Sequence, residues 1–279
     1  VVYEFSTSKQ AHELPLNQQR FLESELRDFQ HSGLGLSEYD REKLKRIQNR
    51  ISELSLQFEN NISSYSDTLF IPHNMIAGLP DDYKENHLQA DGKYAIDLSY
   101  PSFYPFMIYA ESDSLRKLLR YMFLNKGMPQ NVSILSEILA NRKSLAELLN
   151  YPSFSALIID QGMAKSTEAV WEFEKDLIEK IQPKANWDTK QLLQLKYDTI
   201  EGNDKTITDW QKDYYENQLL LKKHRVDSEE VKQYFQVDNV IEGLFAISSL
   251  LFDIKFREIE NPSVWHPDVR MFEMKEKSD

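Results

Sequence analysis

The chain has 279 residues, enough for one large domain or two small ones with ample core. A hydrophobic fraction of 41% describes a folded globular protein, and only 8 glycines favour long helices over turn-rich sheets. Acidic residues outnumber basic ones 45 to 33, and the net charge of −12 repels a phosphate backbone, so nucleic acid is excluded as a partner. There is no cysteine, hence no disulfide, thiol nucleophile or thiolate metal ligand. No apolar run approaches the roughly 18 residues that span a bilayer, so no membrane partner is expected. The opening Val1-Val2-Tyr3-Glu4-Phe5 lacks the basic and apolar regions of a secretory signal. The compartment expected is the cytoplasm, with an organelle matrix as the alternative.

Apolar spacing predicts a first clear helix over residues 17–31, closed by Gly33 and Gly35. Ser37 caps the next, with Glu38 and Asp40 in its first turn, where negative charge suits the helix dipole. Leu44, Ile47, Ile51, Leu54, Phe58 and Ile62 then recur at spacings of 3, 4, 3, 4 and 4. That is one stripe about 40 Å long. It fits a core strut or a coiled-coil-like hairpin, and the strut is expected. Residues 68–71 read as extended, Gly78-Leu79-Pro80 as a loop, and Asp81-Asp82 as the start of a short helix. Asp91-Gly92 is a turn signal running into an alternating segment, 94–98, expected to pair with 68–71 as a small ribbon.

Pro101 and Pro105 suit a helix start near Ser102. Leu115, Leu118, Leu119, Met122 and Phe123 make the next stripe; Ile134, Leu135, Ile138, Leu145, Leu148 and Leu149 make another, closed by Asn150 before Pro152. Residues 156–163 are apolar enough to be buried on most sides. Ser166 caps a helix carrying Val170, Phe173, Leu177 and Ile181, expected to stop at Pro183. Further helices are expected over 189–200, 208–223, 228–235 and 239–252. The echo Tyr-Pro-Ser-Phe at Tyr100 and Tyr151 reads as one helix-start chemistry used twice. Residues 261–274 then alternate, with Val269, Met271 and Phe272 apolar among Asp268, Arg270 and Glu273, behind Pro262 and Pro267. That is the two-residue period of a strand. No partner follows it before residue 279, so it reads as an unfinished strand.

Chemistry leaves few traces. No two of the 6 histidines are close enough to share a helix face. His12-Glu13 begins like the His-Glu-x-x-His zinc motif, but the fifth position is Leu16 and Pro15 breaks the helix it needs. There is no phosphate loop, dinucleotide fingerprint or nucleophile elbow. The pairs Asp81-Asp82 and Glu229-Glu230 read as solvated helix starts, and the basic runs at 41–46 and 222–225 as exposed helix faces. Tyr214-Tyr215 and Tyr234-Phe235 have the choice of lining a ligand groove or packing in a core, and core packing is expected. No residue is assigned a catalytic, cofactor-binding or metal-ligating role.

Several stretches, in order, resemble the amino-terminal half of the thimet oligopeptidase, neurolysin and oligopeptidase A family of zinc peptidases. They are the long helix over 41–61, Gly78-Leu79-Pro80, Arg142 through Leu148-Leu149-Asn150-Tyr151, and Gly162-Met163-Ala164-Lys165-Ser166. Trp210 with Tyr214-Tyr215, then Tyr234-Phe235 and Gly243-Leu244-Phe245, continue the set. Val264-Trp265-His266-Pro267-Asp268-Val269-Arg270 completes it and is fairly specific. At Asn150 the family usually has glycine, and both accept the left-handed closing conformation.

The resemblance implies a mainly α fold: a neurolysin-like multi-helix lobe over residues 1–252 with a small β ribbon near 68–98, then a segment, 253–279, leading into a missing catalytic half. It implies a parent metallopeptidase in which two lobes flank a channel for short peptides. Zinc there is held by a His-Glu-x-x-His helix and a downstream glutamate, and the motif glutamate is the general base toward a zinc-polarised water. No position of this sequence matches those residues, so zinc belongs to the parent and none is expected on this chain. The alternative is a free-standing acidic helical protein-interaction module.

Overall fold

The computed structural model describes residues 2–160, 162–199 and 206–278, and it is mainly α-helical. The chain divides into two compact units, Val1–Glu216 and Asn217–Asp279. The first begins with α1 (Val2–Ser6), α2 (Lys9–His12), α3 (Leu16–His31) and α4 (Glu38–Ser63). A ribbon of β1 (Thr68–Ile71) and β2 (Tyr94–Asp97) brackets α5 (Asp81–His87). There follow α6 (Tyr100–Tyr109), α7 (Asp113–Leu124), α8 (Gln130–Leu148), α9 (Phe154–Asp160), α10 (Thr167–Thr199) and α11 (Asp209–Leu219).

The stripe on α4 decides the packing of the first unit. Ser37 accepts a hydrogen bond from the Asp40 N–H at 3.1 Å, satisfying one of the orphan donors at the helix start. Leu44 and Ile47 then bury with Leu145 and Leu157, and Leu54 with Ile134 and Ile138, so α4 lies along α8. A larger core gathers the ribbon with α5, α6 and α7, through Ile71, Ile96, Phe103, Phe106, Met107 and Leu119. The ribbon pairs antiparallel as expected, with Thr68 opposite Asp97 and Ile71 opposite Tyr94. Gly78 ties a loop to it: its φ is +86°, and a Cβ there would lie 2.3 Å from the Tyr109 carbonyl oxygen. Asn150, at φ 61°, ends α8 in the left-handed conformation expected of it.

Three expectations fail in this unit. α10 does not stop at Pro183 but runs to Thr199, absorbing the helix expected from residue 189; the end of that helix, Ile200, lies outside the described residues. Residues on both sides of Pro183 are exposed, so water satisfies the carbonyl that the missing N–H leaves free. Pro105 is inside α6, one turn past the expected start. The segment 156–163 is not buried on most sides: α9 is a seven-residue helix whose one buried side chain is Leu157, and Met163 is wholly exposed.

In the second unit a π-turn (Leu220–His224) is followed by α12 (Ser228–Lys232) and α13 (Val237–Phe252), then β3 (Ile254–Glu258) and β4 (Phe272–Glu276). The closing strand is therefore not unfinished. Its partner lies upstream: β3 and β4 pair antiparallel, with Ile254 opposite Glu276 and Phe256 opposite Met274. The alternation Ile254-Lys255-Phe256-Arg257-Glu258, read with β4, supplies the missing half. The strand also begins at Phe272 and not at Val269, because the preceding residues turn around His266, which accepts from the Asp268 N–H. No helix of the described residues is long and apolar enough to cross a membrane.

Candidate functional site

The groups most able to do chemistry are dispersed and already engaged. His31 Nε2 lies 2.8 Å from the Tyr151 hydroxyl, and His73 Nδ1 lies 3.0 Å from that of Tyr94. His87 Nδ1 is 2.7 Å from the Tyr83 carbonyl, which fixes the proton there, so Nε2 accepts from Ser102 Oγ at 2.9 Å. That pair has the geometry of a nucleophile and its base, but Ser102 is only 5% exposed and sits in the first turn of α6. It fastens α5 to α6, as does the buried Tyr83 hydroxyl, which donates to the Ser102 carbonyl at 2.7 Å. His266 pairs with Asp268, and His12 and His224 face solvent. Among the described residues no three of His, Asp and Glu converge, so they offer no donor set that fits zinc.

A second polar cluster is buried. Arg116, 1% exposed, donates from Nε to the Trp210 carbonyl at 3.1 Å, from Nη1 to the Ala110 and Glu111 carbonyls, and from Nη2 to Asp113 at 3.0 Å. Its plane lies 4.1 Å from the Tyr214 ring centroid. Asp113 also accepts from Trp210 Nε1 and Gln211 Nε2, and Gln211 accepts from Lys196 Nζ at 3.0 Å. Burial pulls the Arg116 pKa below the ordinary guanidinium value, and the facing Asp113 charge offsets part of that. Nearly every polar atom here has a partner within the protein. The cluster is a clamp joining α7 to α11. Tyr215 is buried beside it, as core packing requires.

Tyr234 and Phe235 break the core expectation: they are 77% and 65% exposed. They belong to the second unit, where exposed apolar surface is the dominant feature. α13 has two unlike faces. One is anchored on the hairpin: Phe245 stacks on Phe256 at 4.3 Å and meets Phe272 edge-on at 4.8 Å. Arg270 grips Glu258 with both carboxylate oxygens at 2.7 Å and reaches Asp238 at 3.1 Å. These hydrogen bonds raise the Arg270 pKa and hold the Glu258 carboxyl below the usual carboxylate range. Lys277 closes the end of α13, donating to the Ser249 carbonyl at 2.9 Å.

The other face is uncovered. Val237, Val240, Leu244, Ile247 and Leu251 are 70%, 47%, 59%, 60% and 68% exposed, at successive spacings of 3, 4, 3 and 4. Such spacing keeps all five on one side of an α-helix. A row of this kind has no chemistry of its own; its capacity is to be buried against another surface. Sequence reading places the helix but not this row. Apolar residues occur all round α13, and only the hairpin decides which side they leave open.

The sequence profile of Peptidase family M3 matches residues 106–279, which includes α13 and the hairpin. Saccharolysin from Saccharomyces cerevisiae is 30% identical over 265 residues, covering 90% of this chain and 37% of its own length. Oligopeptidase A from Haemophilus influenzae is 30% identical over 279 residues, covering 94% and 40%. The thimet-like oligopeptidase of Dictyostelium discoideum is 30% identical over 277 residues, covering 96% and 41%. The chain thus spans about two-fifths of the length of the curated relatives it matches. With the profile matching well over half of its residues, the chain belongs to Peptidase family M3.

Proposed function

We propose that this chain is the non-catalytic, channel-forming lobe of a zinc-dependent oligopeptidase that hydrolyses short peptides. Residues 1–252 form the helical lobe and 253–279 lead into a catalytic half carried by polypeptide outside this sequence. One observation carries the reading: membership of Peptidase family M3 in a chain that spans only 37–41% of its relatives' length. The lobe's part is then selection, since a narrow passage between two lobes admits an unfolded short peptide and excludes a folded protein. The protein acts in the cytoplasm or in an organelle matrix.

The test is reconstitution. Mixed with a separately produced catalytic half, the chain restores hydrolysis of a quenched-fluorescent short peptide, while the chain alone holds no stoichiometric zinc by elemental analysis and cleaves nothing. Stoichiometric zinc on the isolated chain overturns the assignment. The free-standing interaction module is separated by the reading frame: continuation beyond Asp279 into a His-Glu-x-x-His segment rules it out.

A further inference from the structure

We propose that the outer edge of β4 is an interaction surface for a second copy of this chain, which pairs with it antiparallel about a two-fold axis through Met274. Among the described residues this sheet holds β3 and β4 alone, so β4 has one edge without a partner strand. The ladder fixes which groups that edge presents. The Lys277 N–H donates to the Asp253 carbonyl and that of Ile259 to the Met271 carbonyl, both at 2.9 Å. Bonded and non-bonded pairs alternate along an antiparallel ladder, so Glu273 and Lys275 turn their backbone groups toward β3. Phe272, Met274 and Glu276 turn theirs outward, an open template for another strand.

That edge is complementary to itself. Laid antiparallel on its own copy, Phe272-Glu273-Met274-Lys275-Glu276 sets Glu273 opposite the partner's Lys275, and Lys275 opposite the partner's Glu273. The parity agrees. The outward groups meet as hydrogen-bonded pairs, about six bonds in all, and the charges fall at the intervening positions, where side chains lie closest. Register is fixed as well, since a slip of two residues puts Lys275 opposite Lys275 or Glu273 opposite Glu273. The contact of Lys275 with Glu273 within one chain, at 3.0 Å, is exchanged for two between copies. Met274 shares a sheet face with Phe256, which stacks on α13, yet it is 63% exposed, and the partner's Met274 covers it. There is room for this. α13 packs chiefly on β3, and β3 and its copy would lie three strand spacings apart, about 14 Å, more than a helix diameter. The net charge of −12 opposes association, but it is spread over the whole chain and screened beyond about 8 Å at 0.15 M, whereas these pairs touch.

The experiment follows hydrogen exchange of single amides over a protein dilution series at fixed salt, with sedimentation equilibrium alongside. The amides of Phe272, Met274 and Glu276 are expected to exchange about threefold more slowly at the concentrated end, as the dimer forms. Glu273→Lys and Lys275→Glu each set like charges opposite one another across the axis, so each variant alone loses that concentration dependence. Mixed together, the two variants place lysine opposite glutamate at both positions, and the protection returns. Its return also shows that both variant hairpins are folded. Exchange of the three amides that does not change with concentration overturns the proposal. So does protection that appears on α10 or α13 in place of β4, and so does a mixture of the variants that behaves like either one alone.

Discussion

Arg116 is among the largest side chains the fold buries completely, and its charge is tolerable there only because its N–H groups have partners. Three of those partners are main-chain carbonyls, of Ala110, Glu111 and Trp210, which have few alternatives in the interior. Arg116→Ala takes a charged donor from those carbonyls and the cationic partner from Asp113, which keeps its bonds from Trp210 and Gln211, so a loss of about 3 kcal/mol is expected, measured by denaturant unfolding. A loss below about 1 kcal/mol would mean that water reaches the cluster and that the clamp is not dry. Tyr151 is a milder case. Burial, helped by the nearby Asp160, raises its pKa, so the hydroxyl stays protonated and donates to Asp160 at 3.0 Å. His31 Nε2 therefore donates to the same oxygen, and this bond pair holds the end of α3, a helix with no fully buried side chain. Tyr151→Phe keeps the ring in its apolar surroundings and removes both bonds. It is expected to lose about 1 kcal/mol, with faster amide exchange confined to residues 16–31. Unchanged exchange there refutes the role.

Between elements, the hairpin is held to α13 by aromatic stacking inside and by the Arg270 grip outside. The grip gives a pH signature with a definite sign. The Arg270 hydrogen bonds depress the folded pKa of Glu258, so the folded state binds that proton less readily than the unfolded one. Stabilisation is present above the unfolded carboxylate value and is lost as pH falls below it through the depressed one. Glu258→Gln removes that part of the acid sensitivity, read from hairpin NMR signals during an acid titration. Parallel loss of those signals in variant and wild type refutes it. The same elements show what the sequence carries and where it falls silent. The α4 stripe, its Ser37 cap and the Asn150 stop are legible because spacing and capping are local properties. Pro183 misleads because helix breaking depends on whether the orphaned carbonyl is dry, and along α10 it is wet. β3 hides because its five residues follow the apolar end of α13 almost directly, and so short an alternation cannot be told from a continuing helix. Which side of α13 stays open depends on the distant contacts of Phe256, Phe272 and Arg270, and no local pattern holds that information.

Over the whole molecule two tendencies oppose each other. Exposed apolar side chains such as Trp171, Phe173 and Ile178 on α10, and the row on α13, are drawn to any surface that removes them from water. Against them stands a net charge of −12, which keeps like chains apart over about 10 Å at an ionic strength of 0.1 M. Salt shortens that range to about 3 Å at 1 M while leaving the apolar attraction intact or stronger. The isolated chain is therefore expected to be mostly monomeric at low ionic strength and to self-associate progressively as sodium chloride is raised. Sedimentation velocity across a salt series gives the measure. The opposite trend, dissociation on adding salt, would show that contacts between opposite charges hold the copies together and that the apolar faces do not. Leu244→Asp adds a charge in the middle of the α13 row and should flatten the salt response if that face dominates. An unaltered response would transfer the association to α10, where Trp171→Ser is the matching variant.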